Sequence, residues 1–289
     1  MKAEILEPSG CCQGVNRAID LAINARKKYQ DQKIYILGML VHNEVVNDEL
    51  RKLGILFLDA KNAISEINKI NDGVIIFTAH GHNEELDKLA QKKGLKIIDT
   101  TCGYVKANHT FIKKTLIDGK QVIFVGKSAH PETEGILSIS NDILLYDIHN
   151  GFQYEKVTST PTVVFQTTLS ILEIEDIKKD ILNHFPNAIF AKSVCRATFL
   201  RQSSLKNINP RSDLILVVGS HTSSNTTKLY EIAKQLYPNK AIMQIKTVSD
   251  ISNCSISKYS YATIIGGAST PLKVLKEIEN YLMTFGINS

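Results

Sequence analysis

The sequence has 289 residues, of which 43% are hydrophobic and 22% are charged, and its net charge is +5 at pH 7. This length and composition are those of a globular protein of two or three domains with a substantial core. The positive charge is mild and is not interleaved with aromatic residues, so we expect no nucleic-acid partner. No apolar run reaches the ~18 residues that a membrane span requires, so we expect no membrane insertion.

The cysteines and the N-terminus indicate the cellular compartment. The chain has five cysteines, an odd number, and without a secretory signal they are typical of reduced thiols. The chain begins directly with a strand pattern, so we expect neither a signal peptide nor a transit peptide. These features predict a cytoplasmic location.

Taken in chain order, apolar runs bounded by turn signals alternate with amphipathic stretches, which is typical of βα units with parallel strands. We predict twelve strands in three sets of four. They are residues 3–6, 34–37, 55–58 and 74–77 in the first set, 95–98, 122–125, 144–146 and 163–165 in the second, and 189–191, 214–218, 242–245 and 264–265 in the third. A repeat of about 90 residues is too long for a solenoid and long enough for a small domain.

The segments after the strands repeat as well. The first strand of each set leads to Cys12, Cys102 or Cys195. The second strand leads to His42, to His130 and Glu132, or to residues 219–226. The fourth strand leads to His80, to residues 166–170, or to residues 266–271. The third strand never leads to a chemically useful residue, and chance does not readily produce that pattern three times. We therefore favour three similar α/β units in an approximate three-fold arrangement around one centre over an ordinary two-domain α/β protein.

The polar segments predict an anion site. Each precedes a helix and carries Ser, Thr, Asn or His, which together present N–H, O–H and imidazole donors suited to a phosphate or diphosphate. Lys127 is the main cation in these turns, so a cradle of hydrogen bonds is expected rather than a clamp of charges. There is no P-loop motif and no G-x-G-x-x-G after a strand, which argues against a nucleoside triphosphatase or a dinucleotide cofactor.

Two kinds of histidine pattern indicate chemistry. His42 and His80 follow strands next to Asn or Gly, where a ligand would be held. His130 with Glu132 places an imidazole and a carboxyl beside Pro131, a sensible pair for handling a proton.

The three repeated cysteines admit several interpretations. A zinc site would usually be built from C-x₂₋₄-C pairs, which are absent. A nucleophile would need one thiol rather than three in matching positions. An iron–sulfur cluster takes thiolates, and three would leave one iron for substrate. A buried, inert thiol remains the ordinary interpretation of any single cysteine, and we assign Cys11 and Cys254 to it.

A series of ordered motifs runs nearly end to end. They are Gly10-x-Cys12-x-Gly14-Val15-x-Arg17-Ala18, Val41-His42-Asn43, Ala79-His80-Gly81, Asp99-x-Thr101-Cys102, His130-Pro131-Glu132-x-Glu134-Gly135, Gln166-Thr167-Thr168-Leu169-Ser170, Cys195-x-Ala197-Thr198, Arg201-Gln202, Ser223-Ser224-Asn225 and Gly267-Ala268-Ser269. In these motifs the chain resembles the 4-hydroxy-3-methylbut-2-enyl diphosphate reductase family, which completes the methylerythritol phosphate route to isoprenoid precursors.

The resemblance implies roles for particular residues. By it, Cys12, Cys102 and Cys195 ligate a [4Fe-4S] cluster whose remaining iron is open to substrate. Residues that match His42, His80, Ser223, Ser224, Asn225 and Ser269 line the diphosphate pocket. His130 and Thr167 match residues near the hydroxyl end of the substrate, and Glu132 matches the residue that delivers a proton.

The resemblance also implies a fold and domain boundaries. It predicts three α/β lobes with small, mostly parallel sheets, arranged with pseudo-three-fold symmetry around the cluster. The lobes would be residues 13–101, 102–194 and 195–289, the last completed by the N-terminal strand 1–12. Three positions depart from the family pattern, namely Cys11, Gly103 and Leu200, and none of them removes a cluster ligand or a pocket donor.

The activity implied is a reductive dehydroxylation of an allylic diphosphate to isopentenyl and dimethylallyl diphosphate by two one-electron transfers. No flavin or nicotinamide motif is present, so the electrons would come from an external donor such as a flavodoxin or ferredoxin. Two alternatives stay open. A non-catalytic iron–sulfur sensor would bind a cluster without turnover, and a phospho-ligand-binding protein with incidental cysteines would contain no iron.

Overall fold

The computed structural model describes residues 1–252 and 256–284. Its strands are β1 (Lys2–Ile5), β2 (Ile34–Leu37), β3 (Leu56–Leu58), β4 (Val74–Phe77), β5 (Lys96–Asp99), β6 (Val122–Gly126), β7 (Ile143–Asp147), β8 (Thr162–Phe165), β9 (Ile189–Phe190), β10 (Leu214–Val218), β11 (Ala241–Ile245) and β12 (Tyr261–Gly266). Each of the twelve predicted strands is confirmed. Cys254 lies outside the described residues.

Helices connect the strands. The α-helices are α1 (Gln13–Lys28), α2 (Glu44–Lys52), α3 (Ala63–Lys69), α4 (Glu84–Lys92), α5 (Gly103–Ile117), α6 (Pro131–Leu137), α7 (Ile171–His184), α8 (Arg196–Ser204), α9 (Ser224–Leu236), α10 (Val248–Ser252) and α11 (Leu272–Thr284). Short 3₁₀ helices cover Ala60–Asn62, Tyr154–Lys156 and Leu205–Asn207.

Within the described residues the strands form three four-stranded sheets, in the orders β3-β2-β4-β5, β7-β6-β8-β9 and β11-β10-β12-β1. Every pairing inside these sheets is parallel. The predicted α/β class with three similar parallel sheets is therefore confirmed. In the third sheet the N-terminal strand β1 pairs with β12, Ala3 opposite Ala262.

The sheet orders place the strand without a predicted functional segment at the same position in each sheet. The third strand of each predicted set is β3, β7 or β11, and each lies at an edge of its sheet. The opposite edge is β5, β9 or β1, the strands that lead to Cys102, Cys195 and Cys12. The two central strands of each sheet lead to the histidine- and serine-rich segments. The sequence repeat therefore reflects a repeated position within the sheet.

The burial of the central strands follows from their composition. In β4, β6, β8 and β10 every residue is buried, as expected for short apolar runs in parallel sheets covered on both faces. In the first sheet, Val74 and Ile76 pack with Ala18 and Ala22 of α1, while Ile75 and Phe77 pack in a second cluster on the other face. Strand alternation thus divides one apolar run between two cores.

The chain divides into two compact units. Unit 1 comprises residues 1–13, 42–44 and the chain from Cys195 onward, and contains the third sheet. Unit 2 comprises residues 14–41 and 45–194 and contains the first and second sheets. The three-domain boundaries and the three-fold arrangement stay predictions. In the part of the chain that the structure describes, no helix combines the length and apolarity needed to cross a membrane.

Candidate active site

In unit 2, the carboxyl group of Glu132 is held by Thr167. The backbone N–H of Thr167 donates to Oε1 of Glu132 at 3.0 Å, and the Thr167 hydroxyl donates to Oε2 at 2.7 Å. Glu132 lies in the first turn of α6 and Thr167 follows β8, so the ends of two neighbouring strand–helix units meet here. The sequence placed both residues at the reacting end of the substrate, and the structure brings them together.

Burial sets the protonation state of Glu132. Its side chain is 2% exposed, and this burial raises the pKa of Glu132 to about 7, although hydrogen bonds from Thr167 and Asn108 lower it. Desolvation favours the neutral carboxyl because an isolated charge is costly in an apolar interior. A carboxyl group that is partly protonated at neutral pH is suited to general acid catalysis.

His130 begins the helix that carries Glu132. It is the N-cap of α6, and its Nδ1 accepts a hydrogen bond from the backbone N–H of Glu132 at 3.1 Å. Because Nδ1 accepts, the neutral ring carries its proton on Nε2. The ring of His80, after β4, lies edge-on to His130 with centroids 6.1 Å apart. His80, His130, Glu132 and Thr167 thus form one cluster in unit 2.

The turn before Cys102 is fixed by local hydrogen bonds. Asp99 accepts from the backbone N–H of Thr101 at 2.8 Å and pairs with Lys106 of α5 at 2.5 Å. The backbone N–H of Cys102 donates to the carbonyl of Ala79 at 3.0 Å. This bond joins the cysteine to the residue before His80, so the thiol segment and the histidine segment of unit 2 are held together.

Asn108 belongs to this cluster and was not among the predicted residues. Its side chain is buried, hydrogen-bonds to Glu132, and donates from Nδ2 to the carbonyl of Phe165 at 3.4 Å. The buried positions of α5 are Val105, Asn108, Ile112 and Thr115. An asparagine on the apolar face of a helix is a sequence signal for such a residue, since a buried amide needs hydrogen-bond partners.

In unit 1, a chain of hydrogen bonds joins the segments of Cys12 and Cys195. The backbone N–H of Cys12 donates to the carbonyl of Ala268 at 2.8 Å. The N–H of Ala268 donates to Oδ1 of Asn225 at 2.9 Å, and Nδ2 of Asn225 donates to the hydroxyl of Thr198 at 3.3 Å. Thr198 lies one turn into α8, which Cys195 caps. Asn225, a predicted substrate-binding residue, is thus also a structural link between the two thiol segments.

The segment of His42 is fixed by three side chains of unit 1. The hydroxyl of Ser269 donates to the carbonyl of His42 at 2.9 Å. Glu44 accepts from the hydroxyl of Ser220 at 3.0 Å and pairs with Lys246 at 3.2 Å. Burial lowers the pKa of His42, with the charge of Glu44 acting in the opposite direction. His42 is therefore neutral at neutral pH and retains both a donor and an acceptor nitrogen.

The start of α9 carries three predicted substrate-binding residues. Ser223 is the N-cap, and its hydroxyl accepts from the N–H of Thr226 at 3.4 Å. Ser224 and Asn225 are the first two residues of this helix of 13 residues. A helix N-terminus that presents backbone N–H groups and hydroxyls suits an anion.

The loop after β12 approaches Thr226 so closely that only glycine fits. A Cβ on Gly267 would lie 2.1 Å from Oγ1 of Thr226, and one on Gly219, whose φ is +151°, would lie 2.5 Å from the same atom. Thr226 is fully buried. The glycine in the Gly267-Ala268-Ser269 motif therefore allows the loop that binds Cys12 and His42 to pack against α9.

The three repeated cysteines have the chemistry of thiolate ligands. Cys12, Cys102 and Cys195 are partly exposed, and each lies immediately before a helix. Cys11 is also partly exposed, and its desolvation, together with the neighbouring charge of Cys12, raises the pKa of Cys11 to about 12. Among the described residues, no three His, Cys, Asp or Glu side chains could hold a single metal ion. An iron–sulfur cluster needs no such group, because each thiolate binds a separate iron.

A family model and two named relatives each match nearly the whole chain. The family model described as "LytB protein" matches residues 4–283. A protein of Macrococcus caseolyticus named 4-hydroxy-3-methylbut-2-enyl diphosphate reductase is 35% identical over 283 residues, covering 96% of this chain and 87% of that protein. A protein of Bacillus cereus with the same name is 36% identical over 285 residues, covering 98% and 90%.

Two solved structures of reductases are similar to this chain over nearly its whole length. The structure of the E-1-hydroxy-2-methyl-but-2-enyl-4-diphosphate reductase from Plasmodium falciparum matches with a TM-score of 0.88 at 28% identity, covering 99% of this chain and 89% of that one. A second structure, of (E)-4-hydroxy-3-methyl-but-2-enyl diphosphate reductase, described as the terminal enzyme of the non-mevalonate pathway, matches with a TM-score of 0.68 at 29% identity. It covers 98% of this chain and 99% of that one.

Proposed function

The chain belongs to the LytB protein family, and on that premise we propose that it catalyses the reductive dehydroxylation of (E)-4-hydroxy-3-methylbut-2-enyl diphosphate. The products would be isopentenyl diphosphate and dimethylallyl diphosphate. The reaction consumes two electrons and two protons and releases one water, so it needs a source of electrons and a proton donor near the leaving hydroxyl. The names of the relatives and the chemistry of the two residue clusters support this proposal.

The proposed cofactor is a [4Fe-4S] cluster ligated by Cys12, Cys102 and Cys195. Their partial exposure and their positions before helices fit thiolate ligation. When bound, such a cluster supplies one-electron transfer and a Lewis-acidic iron. Cys11 is left out of the proposed ligand set because, unlike the other three cysteines, it does not lie immediately before a helix.

The observation that carries the proposal is the buried pair of Glu132 and Thr167. A buried carboxyl group with a pKa of about 7, held by two hydrogen bonds from Thr167, is positioned to give up a proton at neutral pH. We assign Glu132 the delivery of the proton to the departing hydroxyl. Thr167 orients the carboxyl group, and Nε2 of His130 donates to the oxygen at the same end of the substrate.

The proposed diphosphate site uses neutral donors. We assign to it His42, His80, Ser223, Ser224, Asn225 and Ser269. Neutral His42 donates one hydrogen bond without adding charge, and the N-terminus of α9 contributes its backbone N–H groups and the helix dipole. The assigned set contains no lysine or arginine, so its proposed contacts with the diphosphate are hydrogen bonds rather than ion pairs.

The electrons are proposed to come from an external protein donor such as a flavodoxin or ferredoxin, and the protein is proposed to act in the cytoplasm. Both assignments rest on the sequence features above. The partner and the compartment are testable separately from the chemistry, because a reduced dye can replace the donor.

The proposal is tested by turnover. Protein purified and reconstituted without oxygen is mixed with reduced methyl viologen and the allylic diphosphate, and dye oxidation is followed together with product identity by chromatography. We expect dye oxidation that depends on substrate and yields both isomeric products. Glu132→Gln should lose roughly 10²–10⁴-fold in kcat, the usual contribution of a general acid. Unchanged turnover of that variant would show that Glu132 does not supply the proton.

A further inference from the structure

Arg201 is a buried cation that the proposed reaction has not used. It lies on α8, six residues after Cys195, and its side chain is 2% exposed. Burying a guanidinium without a negative partner is costly, since an isolated charge loses its hydration. The surroundings of Arg201 should therefore reveal what balances its charge.

The hydrogen bonds of Arg201 join the two thiol segments of unit 1. Nη2 donates to the carbonyl of Gly10 at 2.6 Å, two residues before Cys12. Nη1 donates to the carbonyl of Ala197 at 3.3 Å, two residues after Cys195. Nε is buried and has no hydrogen-bond partner among the described residues. The guanidinium is thus fixed between both segments and keeps one donor unused.

No carboxylate of residues 1–252 or 256–284 pairs with this guanidinium. Among the described residues, none forms an ion pair with Arg201, and Glu7, whose charge acts on it, is exposed and accepts from the N–H and the hydroxyl of Ser9. Burial lowers the pKa of Arg201, and the charges of Cys12, Cys11 and Cys195 oppose that effect more strongly than Glu7 does. The guanidinium is bonded to carbonyls two residues from Cys12 and two residues from Cys195, so the thiolates of these two proposed ligands are the negative groups that can balance it.

We propose that Arg201 is the counter-charge of the Cys12 and Cys195 thiolates and that it raises the reduction potential of the iron–sulfur centre that they hold. This inference rests on the proposed function, because the thiolates are negative as ligands. A reduced cluster carries one more negative charge than an oxidised one, so a nearby buried cation stabilises the reduced form. Net charge and hydrogen bonds near the sulfurs are the means by which a protein sets such potentials.

In this proposal Arg201 acts on the charge of the cluster and does not contact the substrate. The test therefore measures the reduction potential of the cluster rather than turnover. The midpoint potential of the reconstituted protein is measured by a dye-mediated titration followed by electron paramagnetic resonance. Arg201→Gln should make reduction at least tenfold less favourable, a shift of about 59 mV to more negative potential for one electron. Arg201→Lys keeps the charge and should stay within about threefold of the parent.

Two further variants keep the test decisive. Lys206→Gln removes an exposed cation from the same stretch of chain and should leave the potential unchanged, because water screens its charge. If Arg201→Gln does not fold, as judged by circular dichroism, Arg201→citrulline replaces it, since citrulline has the same length and keeps N–H donors but is neutral.

The outcomes separate this inference from the proposed function. A parent protein that takes up no iron and sulfide would overturn both. A parent with a cluster, whose neutral variants have the parent potential, would overturn the role of Arg201 alone. A potential shifted equally by Arg201→Lys and Arg201→Gln would show that hydrogen bonding, and not charge, is responsible.

Discussion

Both carboxyl oxygens of Glu132 accept hydrogen bonds from one residue, Thr167, through its backbone N–H and its hydroxyl. The two residues lie 35 positions apart and come from neighbouring strand ends of the second sheet. Burial and these hydrogen bonds act on the Glu132 pKa in opposite directions, and burial dominates. The pair therefore sets the pH range in which the proton is available.

Thr167→Val should raise the pKa of Glu132 further. Valine keeps the shape and the backbone N–H but removes the hydroxyl that favours the carboxylate, a bond worth roughly 1.5–3 kcal/mol for a charged partner. The basic limb of the pH profile of kcat/KM should move up by about one pH unit. Thr110→Val, on the exposed side of α5, is the matched control. A basic limb that does not move contradicts the assigned role of the hydroxyl.

The stability of the protein should depend on pH through Glu132. Because burial raises the pKa of Glu132 from 4.5 to about 7, the folded chain binds more protons than the unfolded chain between these values. The free energy of unfolding should therefore fall as pH rises through this range, by roughly 3 kcal/mol in total. Urea unfolding at a series of pH values from about 4 to about 8 measures this change in the free energy of unfolding. Glu132→Gln should remove this part of the slope, and parallel curves for parent and variant would exclude the effect.

Asn225→Ala should destabilise the fold as well as weaken substrate binding. The change leaves the N–H of Ala268 and the hydroxyl of Thr198 without their partner, and a buried group left unsatisfied costs about 1–3 kcal/mol. Urea unfolding at neutral pH provides the measurement, with exposed Asn280→Ala as the control. If Asn225→Ala unfolds like the control and only its KM rises, then the structural link is unimportant.

Gly267→Ala should disrupt the loop that binds Cys12. The added Cβ would lie 2.1 Å from Oγ1 of Thr226, so the loop or α9 must shift, at a cost of about 1–3 kcal/mol for overpacking. Gly103→Ala is the control, since its Cβ would meet nothing within 4 Å. The double variant with Thr226→Ala should recover part of the lost stability. No recovery, measured by thermal unfolding, contradicts the steric explanation.

Much of the fold could be predicted from the sequence because its strands are short apolar runs in parallel sheets. Residues such as Val74 and Leu214 lie in strands buried on both faces, and such runs are visible without an alignment. The sequence also predicted that the third strand of each set leads to no functional residue, and the sheet orders show that these strands, β3, β7 and β11, occupy the same position in their sheets. That position depends on pairings between distant segments, which local patterns do not encode.

The roles of buried polar side chains were the least predictable part. Asn108 and Arg201 lie within helices, and each has a hydrogen-bond partner that comes from a distant segment of the chain. The occupied carboxamide of Asn225 is a similar case. A motif indicates that a residue is important, but only the structure shows which of its atoms already form hydrogen bonds.

The central claim is that Cys12, Cys102 and Cys195 hold one cluster and Cys11 does not. The most direct measurement is the iron and sulfide content of anaerobically reconstituted parent, Cys11→Ser and Cys102→Ser proteins, each checked for folding by circular dichroism. We predict about four irons and four sulfides per chain in the parent and in Cys11→Ser, and loss of the intact cluster in Cys102→Ser. A full cluster in folded Cys102→Ser, or a parent without iron, would contradict the account.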